Sequence, residues 1–194
     1  MSAIFLKVLI PFAYILSLLA LGYGLWLIVP FFYRLPWVPT AKDRARKALQ
    51  MAKLQPGEIF YDLGAGDGRI LLLAAEEFGA QAIGVEASPL QYLFTAARCH
   101  FSGIKPKIQV RRENFYKADF SDADVVFAYM TPDHAIRFQD RFVSQLKPGA
   151  RVVMIAFDFP DWMPSDVDQD ELIYMYEMPP ENGSLTMYLL KKEL

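Results

Sequence analysis

Residues Ile59–Arg69, I-F-Y-D-L-G-A-G-D-G-R, constrain the fold more than any other stretch of the chain. An apolar run ends in an acid, enters a turn holding three glycines, and gives way to an apolar pattern at helical spacing. A strand, glycine turn and helix of this kind open a Rossmann-type α/β domain. The glycines stand as Gly64-x-Gly66-x-Gly68, and the third residue after Gly66 is Arg69. A dinucleotide fingerprint requires a third glycine at that place, so this loop departs from it. Asp62 lies inside the strand, where hydride transfer has no use for an acid. Glu86 follows about 20 residues after the loop, at the end of a second apolar run.

Together these residues favour S-adenosylmethionine over NAD. Gly64, Ala65, Gly66 and Gly68 let the backbone approach a cofactor closely, although a tight turn alone also explains glycines. Asp62 is suited to fixing the loop backbone or to meeting the ammonium of the cofactor's methionine half. Glu86 is suited to accepting both ribose hydroxyls.

The rest of the domain alternates strands and helices. Helices are expected from Thr40, a candidate N-cap, through Ala52, and over Ile70–Phe78, Pro89–Phe101 and Asp133–Leu146. Strands are expected over Ala82–Glu86, Ile108–Arg112, Asp124–Tyr129 and Arg151–Phe157. That rhythm implies a mostly parallel sheet covered on both faces. Glu171–Met178 and Leu185–Lys191 read as two more strands around Asn182-Gly183, an antiparallel hairpin that brings the sheet to seven strands.

Ahead of this domain, Val8 to Tyr33 carries no charge over 26 residues, long enough to span a bilayer. The bulky Phe31, Phe32 and Tyr33 at its end are unlike a signal-peptide cleavage site. Trp26, Tyr33 and Trp37 suit an aromatic belt. Lys7 stands alone on one side, while Arg34, Lys42, Arg44, Arg46, Lys47 and Lys53 follow on the other. The positive-inside rule then puts the globular part in the cytoplasm. Residues 1–36 are read as a single-pass membrane anchor with its linker, and residues 37–194 as the α/β domain. A net charge of −2 supplies no basic field to draw in nucleic acid. The single Cys99 excludes an internal disulfide and reads as a small buried side chain. No histidine, cysteine and carboxylate spacing suggests a metal.

From about Trp37 to Leu194 the chain resembles the seven-strand S-adenosylmethionine-dependent methyltransferases. Trp37-Val38-Pro39-Thr40, Tyr61–Ile70, Arg111-Arg112-Glu113-Asn114-Phe115, and Arg151-Val152-Val153 with Phe157, Pro160 and Trp162 carry a narrower resemblance. They are similar to a subgroup of archaeal protein-lysine methyltransferases and membrane-anchored mitochondrial enzymes. The latter methylate lysine in the adenine nucleotide translocase and in the c-ring protein of the ATP synthase. The resemblance implies that Thr40 closes over the methionine end, a role that a plain helix cap competes with. It also implies that Asn114 and Phe115 meet the adenine. Asn114 replaces the family's usual acid, and the competing reading is a polar turn residue beside a core aromatic. Tyr129-Met130-Thr131-Pro132 is unlike the Asn-Pro-Pro-aromatic motif of enzymes that methylate base or glutamine nitrogens.

For the acceptor, Tyr129 is the candidate to line a lysine channel and orient the amine, and Asp158 the candidate to attract the incoming ammonium. His134 reads as a surface residue or a proton acceptor, and His100 as structural or exposed. The expected activity is methyl transfer to a lysine of a membrane-associated protein. A lipid-headgroup or small-molecule amine is the alternative acceptor, and a non-catalytic cofactor-binding module the alternative class. The sequence leaves the oligomeric state open.

Overall fold

The structure, a computed structural model, describes residues 3–28, 38–104 and 107–192. It contains two compact units, Met1–Val38 and Pro39–Leu194. In the first, α1 (Ala3–Ile28) is an unbroken helix that includes Pro11. Its Lys7–Trp26 window has a mean hydropathy of 2.0 and none of it is buried. The Ser17 hydroxyl donates to the Ala13 carbonyl at 2.8 Å, so this polar side chain is satisfied within the helix. Tyr33, Trp37, Arg34 and most of the linker lie outside the described residues.

In the second unit, five strands run parallel: β1 (Ile59–Leu63), β2 (Gln81–Glu86), β3 (Ile108–Arg112), β4 (Val125–Ala128) and β5 (Arg151–Ile155). Their connections are α3 (Arg69–Glu77), α4 (Pro89–Phe101) and α5 (Pro132–Gln145), and α2 (Lys42–Met51) precedes them. β6 (Trp162–Met163), β7 (Asp166–Asp168), β8 (Ile173–Glu177), β9 (Glu181–Asn182) and α6 (Leu185–Lys192) complete the chain. The main sheet has the order β3-β2-β1-β4-β5-β8-β7, with β8 antiparallel to both β5 and β7. The expected seven-stranded, mostly parallel α/β sheet is thus present.

Central strands read as continuous apolar runs because both faces are covered: every residue of β4 is buried, and Val152–Ile155 of β5 are fully so. Ala45, Ala48 and Leu49 of α2 pack into the same core as Leu71, Phe60 and Phe127. At the amino edge, the Asp124 carboxylate accepts the Ile59 amide at 2.8 Å and pairs with Lys147 at 2.6 Å. Arg151 donates to the Ala52 carbonyl at 2.7 Å and pairs with Glu58, fastening the end of α2 to the start of β5.

The end of the chain differs from the expected hairpin. The run after Asn182-Gly183 is helix α6, and the partner of β8 is the acidic β7 that precedes it. Leu, Met and Lys are good helix formers. Ser184 caps them, its Oγ accepting the Met187 amide at 3.3 Å and its carbonyl the Tyr188 amide at 3.1 Å. Thr40 also departs from expectation, because α2 is preceded by Ala41 at the cap position with no side-chain cap bond.

Candidate active site

The carboxyl ends of β1 and β2 bring Asp62, the glycine loop and Glu86 together. Gly64, Gly66 and Gly68 all take positive φ, at 95°, 55° and 73°. The amides of Gly64 and Ala65 donate to the Val85 carbonyl at 2.9 and 3.1 Å. Gly66 donates to Glu86 Oε2 at 2.9 Å, and Ser88 donates to Glu86 Oε1 at 2.8 Å. Glu86 is therefore the buckle that closes the loop onto β2, and each of its oxygens retains a lone pair for a further donor. Burial raises its pKa above the ordinary glutamate value, against the opposing pull of the Ser88 and Gly66 amides.

Asp62 is 3% exposed, and its Oδ2 has no hydrogen-bond partner. Burial first, then the charges of Glu86 and Asp67, push its carboxyl up to about 8. A buried acid stranded in this way fits a cationic ligand group such as an ammonium. A Cβ on Gly64 would meet nothing within 4 Å, so the space above the loop is open. The orphaned acid, the open loop and the spare lone pairs of Glu86 fit the expected cofactor.

The loop is braced by residues that the sequence pattern does not single out. Asp67 accepts Arg69 Nε at 2.9 Å and Nη2 at 2.8 Å, and Arg98 Nη1 at 3.0 Å. Burial alone would lift the Asp67 carboxyl, but the Arg69 hydrogen bonds and the two guanidinium charges hold it below the usual range. Thr95 donates to the Gly66 carbonyl at 2.5 Å. The nearest sequence signal is Asp67 two residues before Arg69; nothing local marks Arg98 or Thr95, which reach the loop only through the fold.

The residues expected at the adenine are placed differently from one another. Exposed Asn114 uses its Oδ1 to accept the Tyr116 amide at 2.9 Å. Phe115 is 7% exposed, within an aromatic group with Tyr116 at 4.7 Å and Phe138 at 5.4 Å between ring centroids. The Tyr116 hydroxyl and His134 Nδ1 share a hydrogen bond, tying this turn to the start of α5. Thr40 is buried, and its carbonyl lies 3.4 Å from Arg69 Nη1.

Of the residues expected at the acceptor, Tyr129 follows the last residue of β4 and packs, partly buried, on the core. Asp158 lies three residues beyond neighbouring β5 and is partly exposed. Between the end of β5 and Asp158, Ala156 takes φ of +71° and donates to the Leu172 carbonyl at 2.8 Å, an uncommon backbone state for alanine. Cys99 is buried and its thiol pushed up to about 11 by burial, in keeping with a packing role. Among the described residues no group of three or more metal-ligating side chains forms.

Residues 62–166 match the ANTKMT methyltransferase domain, a span that covers more than half of the chain. The chain belongs to that methyltransferase family. It is similar to a protein-lysine N-methyltransferase of Saccharolobus islandicus, 32% identical over 148 residues, covering 73% of this chain and 92% of the relative. It is also similar to the adenine nucleotide translocase lysine N-methyltransferase of Mus musculus, 32% identical over 139 residues, 70% of this chain and 59% of the relative. It therefore spans most of the archaeal relative but little over half of the mouse one. A solved RNA methyltransferase from Salinibacter ruber, in complex with S-adenosyl-L-homocysteine, superposes with a TM-score of 0.71 at 32% identity, covering 74% of this chain and 95% of its own. S-adenosyl-L-homocysteine is the spent form of the donor expected here, S-adenosylmethionine.

Proposed function

We propose that the chain is a membrane-anchored, S-adenosylmethionine-dependent protein-lysine N-methyltransferase acting on a lysine near the cytoplasmic face of a membrane protein. The observation that carries this reading is a family methyltransferase domain joined by very little chain to an apolar run that stays uncharged as far as Tyr33. Six residues separate Tyr33 from Thr40, a reach on the order of 20 Å even when extended. Residues 1–36 would be the anchor and residues 37–194 the catalytic domain, on the side carrying the basic flank.

The cofactor supplies a methyl group on a sulfonium. Asp62 would hold its ammonium, Glu86 its ribose, and the Gly64–Gly68 loop its backbone-facing edge. The lysine must arrive uncharged, which near neutral pH costs roughly 4 kcal/mol for a free amine. A dry channel lined by Tyr129 would lower that cost by disfavouring the ammonium. Positioning of the amine supplies the remainder, so no dedicated base is required.

Charge supports a lysine-bearing acceptor over RNA, the acceptor class named for the Salinibacter relative. Residues 152–190 contain eight Asp and Glu and no Lys or Arg. Asp168, Glu171 and Glu181 are paired with Lys47, Arg44 and Lys191, which leaves Asp158, Asp161, Asp166, Asp170 and Glu177 to set the local field. Such a segment repels phosphate and attracts a cationic chain.

Incubating native membranes with methyl-labelled S-adenosylmethionine and separating protein, lipid and RNA tests the reading. Label on lysine of membrane proteins supports it. Label confined to lipid amines, to RNA or to soluble proteins overturns it, and tight cofactor binding with no transfer points to the non-catalytic module.

A further inference from the structure

Helix α4 is built inside out. Its buried side chains are Gln91, Thr95 and Cys99, whereas its outward arc carries Leu90, Leu93, Ala97 and Phe101. Leu93 is 63% and Phe101 84% exposed. The polar inner face has a local cause, since Thr95 bonds the glycine loop and packs so close to Gly68 that a Cβ there would lie 2.6 Å from its Cγ2. On the outer face Leu93 and Phe101 are left exposed among the described residues, whereas a surface helix ordinarily shows the opposite pattern.

The neighbouring strand flanks the helix on its inner side. β3 is an edge of the sheet. Ile108 and Val110 join Ala96, Cys99 and His100 to line a cleft of about 220 Å³ beside the helix. Strand alternation puts Arg112 on the same side as Ile108 and Val110. From Ala87 to Arg112 there is no Asp or Glu, but there are five Lys and Arg. Arg98 is engaged by Asp67, and Arg111 stacks 5.5 Å over Tyr61. Lys107 and Arg112 are exposed, and neither is paired with a carboxylate of the described residues.

We propose that the outer face of α4 and the β3 edge form a docking surface for anionic lipid, with Leu93 and Phe101 entering the acyl boundary and Lys107 and Arg112 meeting headgroup phosphates. Apolar residues along one helix face with cations at its flank are the composition of an interfacial helix. A second copy of the chain fits less well, because the patch has no acid to meet its own cations across a two-fold contact. The inference rests on the membrane reading above and adds a lipid contact made by the catalytic domain itself.

The test uses the full chain in vesicles of phosphatidylcholine alone or enriched in phosphatidylglycerol, with nitroxide-bearing lipid as quencher. A fluorophore is placed at Leu93→Cys, or at Val143→Cys as control. Val143 is exposed on α5, which covers the other face of the sheet because the β4–β5 crossover runs opposite to that of β2–β3. The expected result is quenching at position 93, stronger with phosphatidylglycerol, and little at 143. Lys107→Glu with Arg112→Glu should lower the docked-to-undocked ratio by about five-fold per charge. A chain that floats with vesicles but leaves position 93 unquenched overturns this proposal and leaves the anchor standing. A chain that does not float overturns the anchor reading itself. Disulfide-linked pairs through Leu93→Cys in the bilayer would overturn lipid as the occupant and identify a second copy instead.

Discussion

Glu86 accepts the amide of Gly66 at 2.9 Å while its other oxygen accepts that of Ser88, so one carboxylate locks the cofactor loop to the strand beside it. Hydrogen bonds to a charged acceptor contribute about 1.5–3 kcal/mol each. Glu86→Ala should weaken S-adenosylmethionine binding more than ten-fold by calorimetry, about 1.4 kcal/mol or more, and lower the melting temperature. Glu86→Gln, which keeps one acceptor oxygen, should fall between. An unchanged affinity in the alanine variant would reduce Glu86 to a purely local brace.

Asp62 makes the domain sensitive to pH. Its carboxyl sits near 8 in the folded chain, against about 3.9 unfolded. The folded state therefore binds more protons between these values, and stability should fall as pH rises from about 4 to 8. Asp62→Asn should flatten that slope in denaturant titrations. A cofactor ammonium favours the ionised acid, so binding near neutral pH should release a proton and tighten toward pH 8. Calorimetry in buffers of differing ionisation enthalpy reads that proton, and no release would separate Asp62 from the ammonium.

Two glycines of one loop should fail in different ways. Gly68→Ala drives a Cβ to 2.6 Å from Thr95 Cγ2 at φ of +73°, and overpacking of this kind typically costs about 1–3 kcal/mol. Gly64→Ala meets open space and carries only the backbone penalty of φ +95°, on the order of 1 kcal/mol. Thermal melts should show the larger loss for Gly68→Ala. Cofactor titration should show the larger loss relative to stability for Gly64→Ala, whose methyl projects where the ligand is expected.

On the acceptor side, Tyr129→Phe should lower kcat with little change in the melting temperature if the hydroxyl orients the amine. Asp158→Asn should raise KM for a lysine peptide, and the rise should shrink with added salt, since an exposed attraction is screened. Steady-state kinetics at two ionic strengths checks both. Wild-type constants in the two variants would remove them from the site.

Much of this was legible in the chain because the signals were local. The glycine turn, the doubly buried strands β4 and β5, and α4 with proline at its first turn announce themselves within a few residues. The hairpin did not. β7 is Asp-Val-Asp, too polar and short to read as a strand, and it forms because β8 offers it an edge. Leu185–Lys192 is apolar at many positions, and only the Ser184 cap separates helix from strand. Asn114 and Phe115 are expected at the adenine, and their turn is local, with Asn114 accepting the Tyr116 amide two residues on, but the packing of Phe115 on Phe138 depends on contacts from α5 that no spacing displays.

Strand order divides labour along the chain. Everything on one side of β1 comes from residues 81–112, and everything on the other from residues 125–177. On the proposed reading the grip on the nucleoside would be encoded early and the choice of recipient late, with a single central strand as the seam. Grafting the later segment from one relative onto the earlier segment of another should transplant selectivity while leaving donor affinity intact, which makes this architecture naturally modular.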